Sequence, residues 1–258
     1  MIRQTITAFR TLSILPLPGK NAKNMVSSIP FFSLVGFFMG VLFIAVFIPL
    51  RLFIPDLSFI SSIVLVLLCS VFTGGLHLDG IADIFDAFLG GRTKEEILKI
   101  LKDPRLGTFG VLAVVFDLLL KISFTEYIFK NPELILIIPI GFIFSRIAQG
   151  YILISVPYVR DSNGTGFHYS AYLINNKVRI IILTTVGLLI WYIACGFVSG
   201  FLFILCGLVT GILSVLIFIL VCKKKIGGIT GDCIGTVNEL FEIMFVFTGI
   251  VLHYLNIF

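Results

Sequence analysis

The sequence is poor in charge. Asp, Glu, Lys and Arg together make up 13% of its 258 residues, against 58% hydrophobic residues, and the mean hydropathy is +1.12. A globule of this size in water needs a polar coat that this chain cannot supply, which excludes a soluble fold and points to a polytopic membrane protein. The five cysteines, at 69, 195, 206, 222 and 233, contain no CxxC pair. They lie within or beside apolar runs and read as small core residues, with no disulfide framework implied. No signal-peptide cleavage pattern follows the N-terminus. The net charge of +5 does not indicate nucleic-acid binding, because the bases sit in short loops beside apolar runs, where they set topology.

What is present is a series of apolar runs long enough to cross a bilayer, at about 30–54, 57–76, 109–129, 134–155, 178–196, 201–222 and 239–257. The expected fold is all-α: a single polytopic membrane helix bundle over 1–258, with about seven transmembrane helices, an acidic helix at the cytoplasmic face and re-entrant polar loops. Residues 1–29 read as an interfacial N-terminal segment, with an apolar patch from Phe9 to Pro18 among four bases. Five further bases lie in 77–108, three in 156–179 and three at Lys223–Lys225. With seven spans these fifteen of the nineteen bases share one side, which puts the N-terminus in the cytoplasm and the C-terminus outside. Only Arg51 and Lys130 fall opposite, while Lys121 and Arg146 lie inside spans.

One stretch breaks the apolar pattern. Within 73–110, Asp79, Asp83 and Asp86 stand at i, i+4 and i+7, so a helix would carry three carboxylates on one side with no base among them. Clustered carboxylates resist ionising together, and a divalent cation, normally Mg2+ or Mn2+ for all-oxygen ligands, relieves that. The plain alternative is a solvated helix face. Gly90-Gly91-Arg92 then ends the helix, and Thr93 with Glu96 has the spacing of a capping box that opens a basic one. Arg92, Lys102 and Arg105 are candidates to neutralise phosphates, with lipid headgroups as the competing use.

A second acidic segment, 223–242, carries Asp232, Glu239 and Glu242 on one helical face running into the last span. Acids that enter hydrocarbon need compensation and mark a functional site by default. Each segment has a Gly-Gly pair ahead of its first acid, Gly74-Gly75 before Asp79 and Gly227-Gly228 before Asp232. Convergence of both segments on one metal site is the expectation. Arg146 should face the bundle interior and meet a carboxylate or phosphate, or else snorkel to the interface. Asp117 and Lys121, at i and i+4, suit a structural ion pair. His77, two residues before Asp79, is a candidate proton acceptor or a structural histidine. The loop from Val156 to Phe167, with alternating glycines and Arg160, could close over a substrate or merely connect two spans.

These residues carry a resemblance. Gly75-Leu76-His77-Leu78-Asp79-Gly80-Ile81-Ala82-Asp83, Gly90-Gly91-Arg92, Lys102-Asp103-Pro104-Arg105-Leu106-Gly107-Thr108-Phe109-Gly110, and Gly228-Ile229-Thr230-Gly231-Asp232 with Asn238-Glu239-Leu240 are similar to the cobalamin synthase, or adenosylcobinamide-GDP ribazoletransferase, family over nearly the whole chain. The resemblance implies attack by a hydroxyl of alpha-ribazole, or of its 5'-phosphate, on adenosylcobinamide-GDP with release of GMP. It further implies a site at the cytoplasmic face of a prokaryotic membrane. In that reading Asp79, Asp83, Asp86, Asp232 and Glu239 hold Mg2+, and His77, Asp79 and Asp83 are catalytic. Arg92, Lys102, Asp103, Arg105, Arg146, Arg160 and Asn238 contact substrate. The expected partners are these two small molecules, membrane lipid and a second copy of the chain, with no nucleic acid. Two rival readings are a CDP-alcohol phosphotransferase, whose Asp-Gly-x-x-Ala-Arg start is missing here, and a transporter with buried acids as ion sites.

Overall fold

A computed structural model describes residues 1–159 and 167–257, with 167–176 described by their backbone alone. Among the described residues the protein is helical, apart from one isolated bridge between Tyr158 and Ile229. The helices are α1 (Ile2–Leu12), α2 (Phe32–Phe53), α3 (Ser58–Thr73), α4 (Leu76–Gly90), α5 (Lys94–Ile100), α6 (Thr108–Lys130), α7 (Ile137–Ser155), α8 (Phe167–Ser199), α9 (Phe201–Ile226) and α10 (Gly231–Tyr254). A 3-10 segment, Met25–Phe31, leads into α2.

Among the described residues six stretches are long and apolar enough to cross a bilayer: Met25–Phe53, Thr108–Lys130, Pro132–Ser155, Lys177–Ser199, Phe201–Ile226 and Gly231–Tyr254. The expected seventh span at 57–76 is a broken one. α3 has 16 residues and rises about 24 Å at 1.5 Å per residue, short of the ~30 Å hydrocarbon core. The chain then turns by 88° into α4. Gly74 and Gly75 make the turn, both with left-handed backbones (φ 64° and 72°) that a side chain would strain. The N–H of Gly75 reaches back to the carbonyl of Ser70 at 2.9 Å and closes the end of α3.

Lateral packing relies on small residues, as expected where lipid removes most of the hydrophobic drive between helices. On α2, Gly36 and Gly40 press against α7, and a Cβ on Gly40 would lie 2.8 Å from Cβ of Pro139. On α9, Gly207 and Gly211 receive the rings of Phe245 and Phe241 from α10. α7 is buried over most of its length, whereas α3, α6, α8 and α9 each leave one apolar face exposed, a surface suited to lipid. The second acidic segment is no separate loop. α10 begins at Gly231, so Asp232, Glu239 and Glu242 all lie on the last membrane helix.

Candidate active site

α4 and α10 cross at two glycines. A Cβ on Gly80 would sit 2.8 Å from the carbonyl oxygen of Asp232 and 3.2 Å from Cα of Gly235, and one on Gly235 would sit 3.3 Å from Cα of His77. Thr236 Oγ1 donates to the carbonyl of Gly80 at 3.2 Å across the same crossing. The two acidic segments therefore meet, as their composition led us to expect, and they meet near their N-terminal ends. Asp79 and Asp232 both line an open cleft of about 460 Å³, walled on its other sides by α1, the start of α2, the end of α7 and Tyr158. Asp83 follows one turn after Asp79 on α4 and is half-buried.

Asp232 itself accepts from Thr230 Oγ1 at 3.2 Å, and two further carboxylates expected as ligands, Asp86 and Glu239, also have partners. Asp86, expected with the metal ligands, turns away: its two oxygens accept the backbone N–H groups of Gly107 (2.6 Å) and Gly110 (2.8 Å). It thereby caps the start of α6, and both glycines are needed because a Cβ at either would collide with this carboxylate. Glu239 is 2% exposed and accepts from Lys121, so an ammonium group stands where a metal was expected. Among the described residues no three His, Cys, Asp or Glu side chains close around a point that could hold a metal ion. Mg2+ retains water and binds through one or two carboxylates plus substrate phosphates, so it needs no such cage. Asp79 and Asp232, which line the cleft, are the carboxylates that could take part in such a site, with Asp83 one turn further along α4.

Below the crossing lies a buried polar network inside the bundle. Arg146, 1% exposed, pairs with Glu242, which also accepts from Ser145 Oγ at 3.0 Å and from Asn238 Nδ2 at 2.8 Å. Lys121 joins Glu239 to Asp117, whose carboxylate is 3.2 Å away. Arg146 thus meets a carboxylate in the interior, as its position in a span demanded, and snorkelling is not its solution. Neither Arg146 nor Asn238 lines this cleft; Arg146 lines a second pocket together with His77, Lys121, Glu239 and Glu242. Charge compensation explains the arrangement, since an unpaired ion at this depth is costly.

His77 belongs to this network. Its Nε2 lies 3.2 Å from Nε2 of Gln149, and that amide nitrogen also donates to the carbonyl of Ile234 at 3.1 Å. A carbonyl can only accept, which fixes the amide orientation of Gln149 and makes Nε2 of His77 the acceptor. The proton then sits on Nδ1, facing Glu239 at 3.8 Å. His77 is 2% exposed and its Nε2 is engaged by Gln149, so the geometry favours its structural reading over that of a proton acceptor.

The basic segment behaves as its sequence suggests. Thr93 and Glu96 form a complete capping box on α5, and the N–H groups of Arg92 (2.8 Å) and Thr93 (3.1 Å) hold the Glu96 carboxyl below its usual range. Arg92 and Lys102 are exposed. Arg105 pairs with Asp103 at 2.6 Å, and this guanidinium brings the Asp103 carboxyl down to about 2. Arg160 lies outside the described residues, as does most of the glycine loop around it. The stretch before it is anchored at Pro157 and Val159: Val159 N donates to Ile229 O, and Ile229 N to Pro157 O, each at 2.9 Å.

Sequence reasoning passed over three residues here. Lys225 was read as a topology signal, yet its Nζ donates to the carbonyl of Phe88 at 2.6 Å and closes the C-terminal end of α4. Arg10 organises the cleft wall, donating to the carbonyl oxygens of Leu17 (2.6 Å) and Gly19 (3.1 Å) and to Asn21 Oδ1 (2.8 Å). Gln149 carried one usable signal, its place three residues after Arg146 on the same face of a span.

A family model described as CobS, cobalamin-5-phosphate synthase, matches residues 4–250. The chain belongs to this family. CobS relatives named adenosylcobinamide-GDP ribazoletransferase include one from Chlorobium phaeovibrioides, 35% identical over 94% of this chain and 95% of the relative. Another, from Clostridioides difficile, is 36% identical over 84% of each chain, and a third, from Clostridium tetani, is 32% identical over 98% and 96%. No solved structure matches. The CobS match covers both acidic segments and the basic segment between them.

Proposed function

We propose that this chain is the ribazoletransferase its relatives are named for, and that transfer occurs at the crossing of α4 and α10. A ribose hydroxyl of alpha-ribazole, or of its 5'-phosphate, forms a bond to the phosphorus that carries cobinamide. The bond from that phosphorus to the GMP oxygen breaks, and GMP leaves with the electron pair. The products are adenosylcobalamin, or its 5'-phosphate, and GMP. The observation that carries this reading is the convergence of Asp79 and Asp232, from two distant acidic segments, on one cleft.

Mg2+, held by Asp79, Asp83 and Asp232, would supply charge stabilisation to the diphosphate. The residues of the chain do the rest. Arg92 and Lys102 offer exposed positive charge on the segment that follows α4, where phosphate oxygens gain from it. The proton of the attacking hydroxyl goes to a carboxylate at the crossing, because Nε2 of His77 is already occupied by Gln149. The Gly80–Gly235 contact keeps the two acidic helix ends in register, and positioning supplies much of the rate in phosphoryl transfer.

The distribution of bases supports a site on the cytoplasmic side of the prokaryotic cell membrane, with the C-terminus outside. Purified protein in detergent with lipid, given adenosylcobinamide-GDP and alpha-ribazole, should release GMP and form a cobalamin product in equal amounts. Folded protein that forms neither would rule the reaction out.

A further inference from the structure

We propose that Arg10 of α1 is a phosphate-binding residue of the active site and contacts the diphosphate of the nucleotide donor at a rim it shares with Asp79. This rests on the ribazoletransferase reading and adds to it a binding residue outside both acidic segments and the basic one between them.

Arg10 stands where two clefts meet. The cleft that holds Asp232 and a neighbouring one of about 610 Å³ beside the Gly74-Gly75 turn have Arg10, Thr11, Leu76 and Asp79 in common. A ligand that extends from one cleft into the other must pass over that rim, which carries one guanidinium and one carboxylate. Among the described residues Arg10 is the only Lys or Arg bordering either cleft. Arg92, Lys102 and Arg105, from the segment that follows α4, line neither. A metal ion at Asp79 leaves part of the charge of a diphosphate uncompensated, and a base on the same rim supplies the balance.

The bonding of Arg10 keeps that charge available. Its Nε and Nη2 donate to the carbonyl oxygens of Leu17 and Gly19, and its Nη1 donates to Asn21 Oδ1. These acceptors are all neutral, so they fix the guanidinium in place without cancelling its charge. They use four of its N–H groups, and a guanidinium has a fifth, here the second N–H of Nη1. The side chain is exposed, so a phosphate oxygen can reach it. A guanidinium already held in one position gives up little freedom on binding. Thr11, the other polar neighbour on the rim, spends its hydroxyl proton on the carbonyl of Thr7 at 2.7 Å and has none to donate. The bonds of Arg10 also fasten residues 17–21 against α1, so contact with phosphate has to be separated from fastening alone.

The test is equilibrium dialysis of inorganic pyrophosphate with Mg2+ against the full-length protein in zwitterionic detergent. Wild type, Arg10→Gln, Arg10→Lys and Asn21→Ala are compared, each first matched to wild type by elution volume and melting temperature. Arg10→Gln should weaken pyrophosphate by about tenfold or more, and Arg10→Lys, which keeps the charge, should recover most of that loss. Asn21→Ala loosens the fastened segment but leaves the charge, and should change binding by less than about twofold. A second measurement needs no variant: pyrophosphate with Mg2+ should shield Arg10, but not the exposed Arg3 on the same helix, from phenylglyoxal, as read by peptide mass. No pyrophosphate binding to wild type, equal weakening by Arg10→Gln and Asn21→Ala, an Arg10→Lys no better than Arg10→Gln, or no shielding of Arg10 would each overturn the assignment. Shielding by phosphatidylglycerol and not by pyrophosphate would also overturn it and make Arg10 a lipid-headgroup contact. If pyrophosphate binds as described but wild type forms no cobalamin, the reaction reading fails and the phosphate site stands. If wild type forms cobalamin while Arg10→Gln leaves both pyrophosphate binding and the KM of the donor unchanged, the assignment fails and the reaction stands.

Discussion

Gly80 on α4 and Gly235 on α10 meet so closely that a methyl group on Gly80 would lie 2.8 Å from the carbonyl oxygen of Asp232. The contact is made at the turn of α10 that begins with one acid and the turn of α4 that follows another. It sets the distance between the two acidic helix ends. Gly80→Ala should therefore push the helices apart and cut turnover by about a hundredfold, given how steeply such reactions depend on position. Gly235→Ala, where the nearest atom is 3.3 Å away, should cost much less. Equal losses from the two substitutions in a steady-state assay would show that the spacing is not what matters.

Asp86 stands among the acids yet holds backbone N–H groups of Gly107 and Gly110. Asp86→Ala should destabilise the protein by about 1–3 kcal/mol, the cost of leaving buried donors unpaired, and should leave the metal concentration for half-maximal activity where it was. Thermal unfolding in detergent and a Mg2+ titration check the two halves. A large shift in metal dependence with unchanged stability would return Asp86 to the metal ligands.

Arg146 and Glu242 are a buried pair. Arg146→Met alone leaves Glu242 with only Lys121, 4.0 Å away and shared with Glu239 and Asp117, as a cation and should cost about 3–5 kcal/mol, whereas Arg146→Met with Glu242→Gln should recover most of that loss. Melting temperatures of the two variants decide it. A double variant no more stable than the single one would mean that the pair does not compensate itself.

The capping box on α5 has a pH signature. Backbone N–H groups of Arg92 and Thr93 lower the pKa of Glu96, so its stabilising contribution is fully present above the ordinary carboxylate pKa of about 4.3. That contribution is lost as pH falls through the lowered folded value. Amide chemical shifts of Arg92 and Thr93 should accordingly titrate with a midpoint below about 4.3. A midpoint at or above it would show that the box is open in solution.

Much of this was legible in the chain. Long apolar runs gave the membrane bundle, Thr93 and Glu96 gave the capping box, and the in-span position of Arg146 required an acid that proved to be Glu242. The bend after α3 was hidden because hydropathy does not register backbone direction; only Gly74-Gly75 hinted at it. The roles of the acids were hidden for a related reason. Spacing placed Asp79, Asp83 and Asp86 on one side of α4, but which of them meets a helix end at Gly107 depends on the path of α6. Glu239 looked like a ligand until Lys121, from a helix more than a hundred residues earlier, was found beside it. Orphaned atoms such as Oε1 of Gln149 are invisible to sequence, since they depend on what every neighbour has already taken.

The most direct measurement compares wild type with Asp79→Asn for GMP release and cobalamin formation from adenosylcobinamide-GDP and alpha-ribazole, with and without Mg2+. Wild type should form both products in equal amounts only when the metal is present. Asp79→Asn should form neither while eluting and melting like wild type. Metal-independent product from wild type, or more than about a tenth of wild-type turnover from the variant, less than the loss expected for a group essential to charge stabilisation, would contradict a transferase centred on the crossing of α4 and α10.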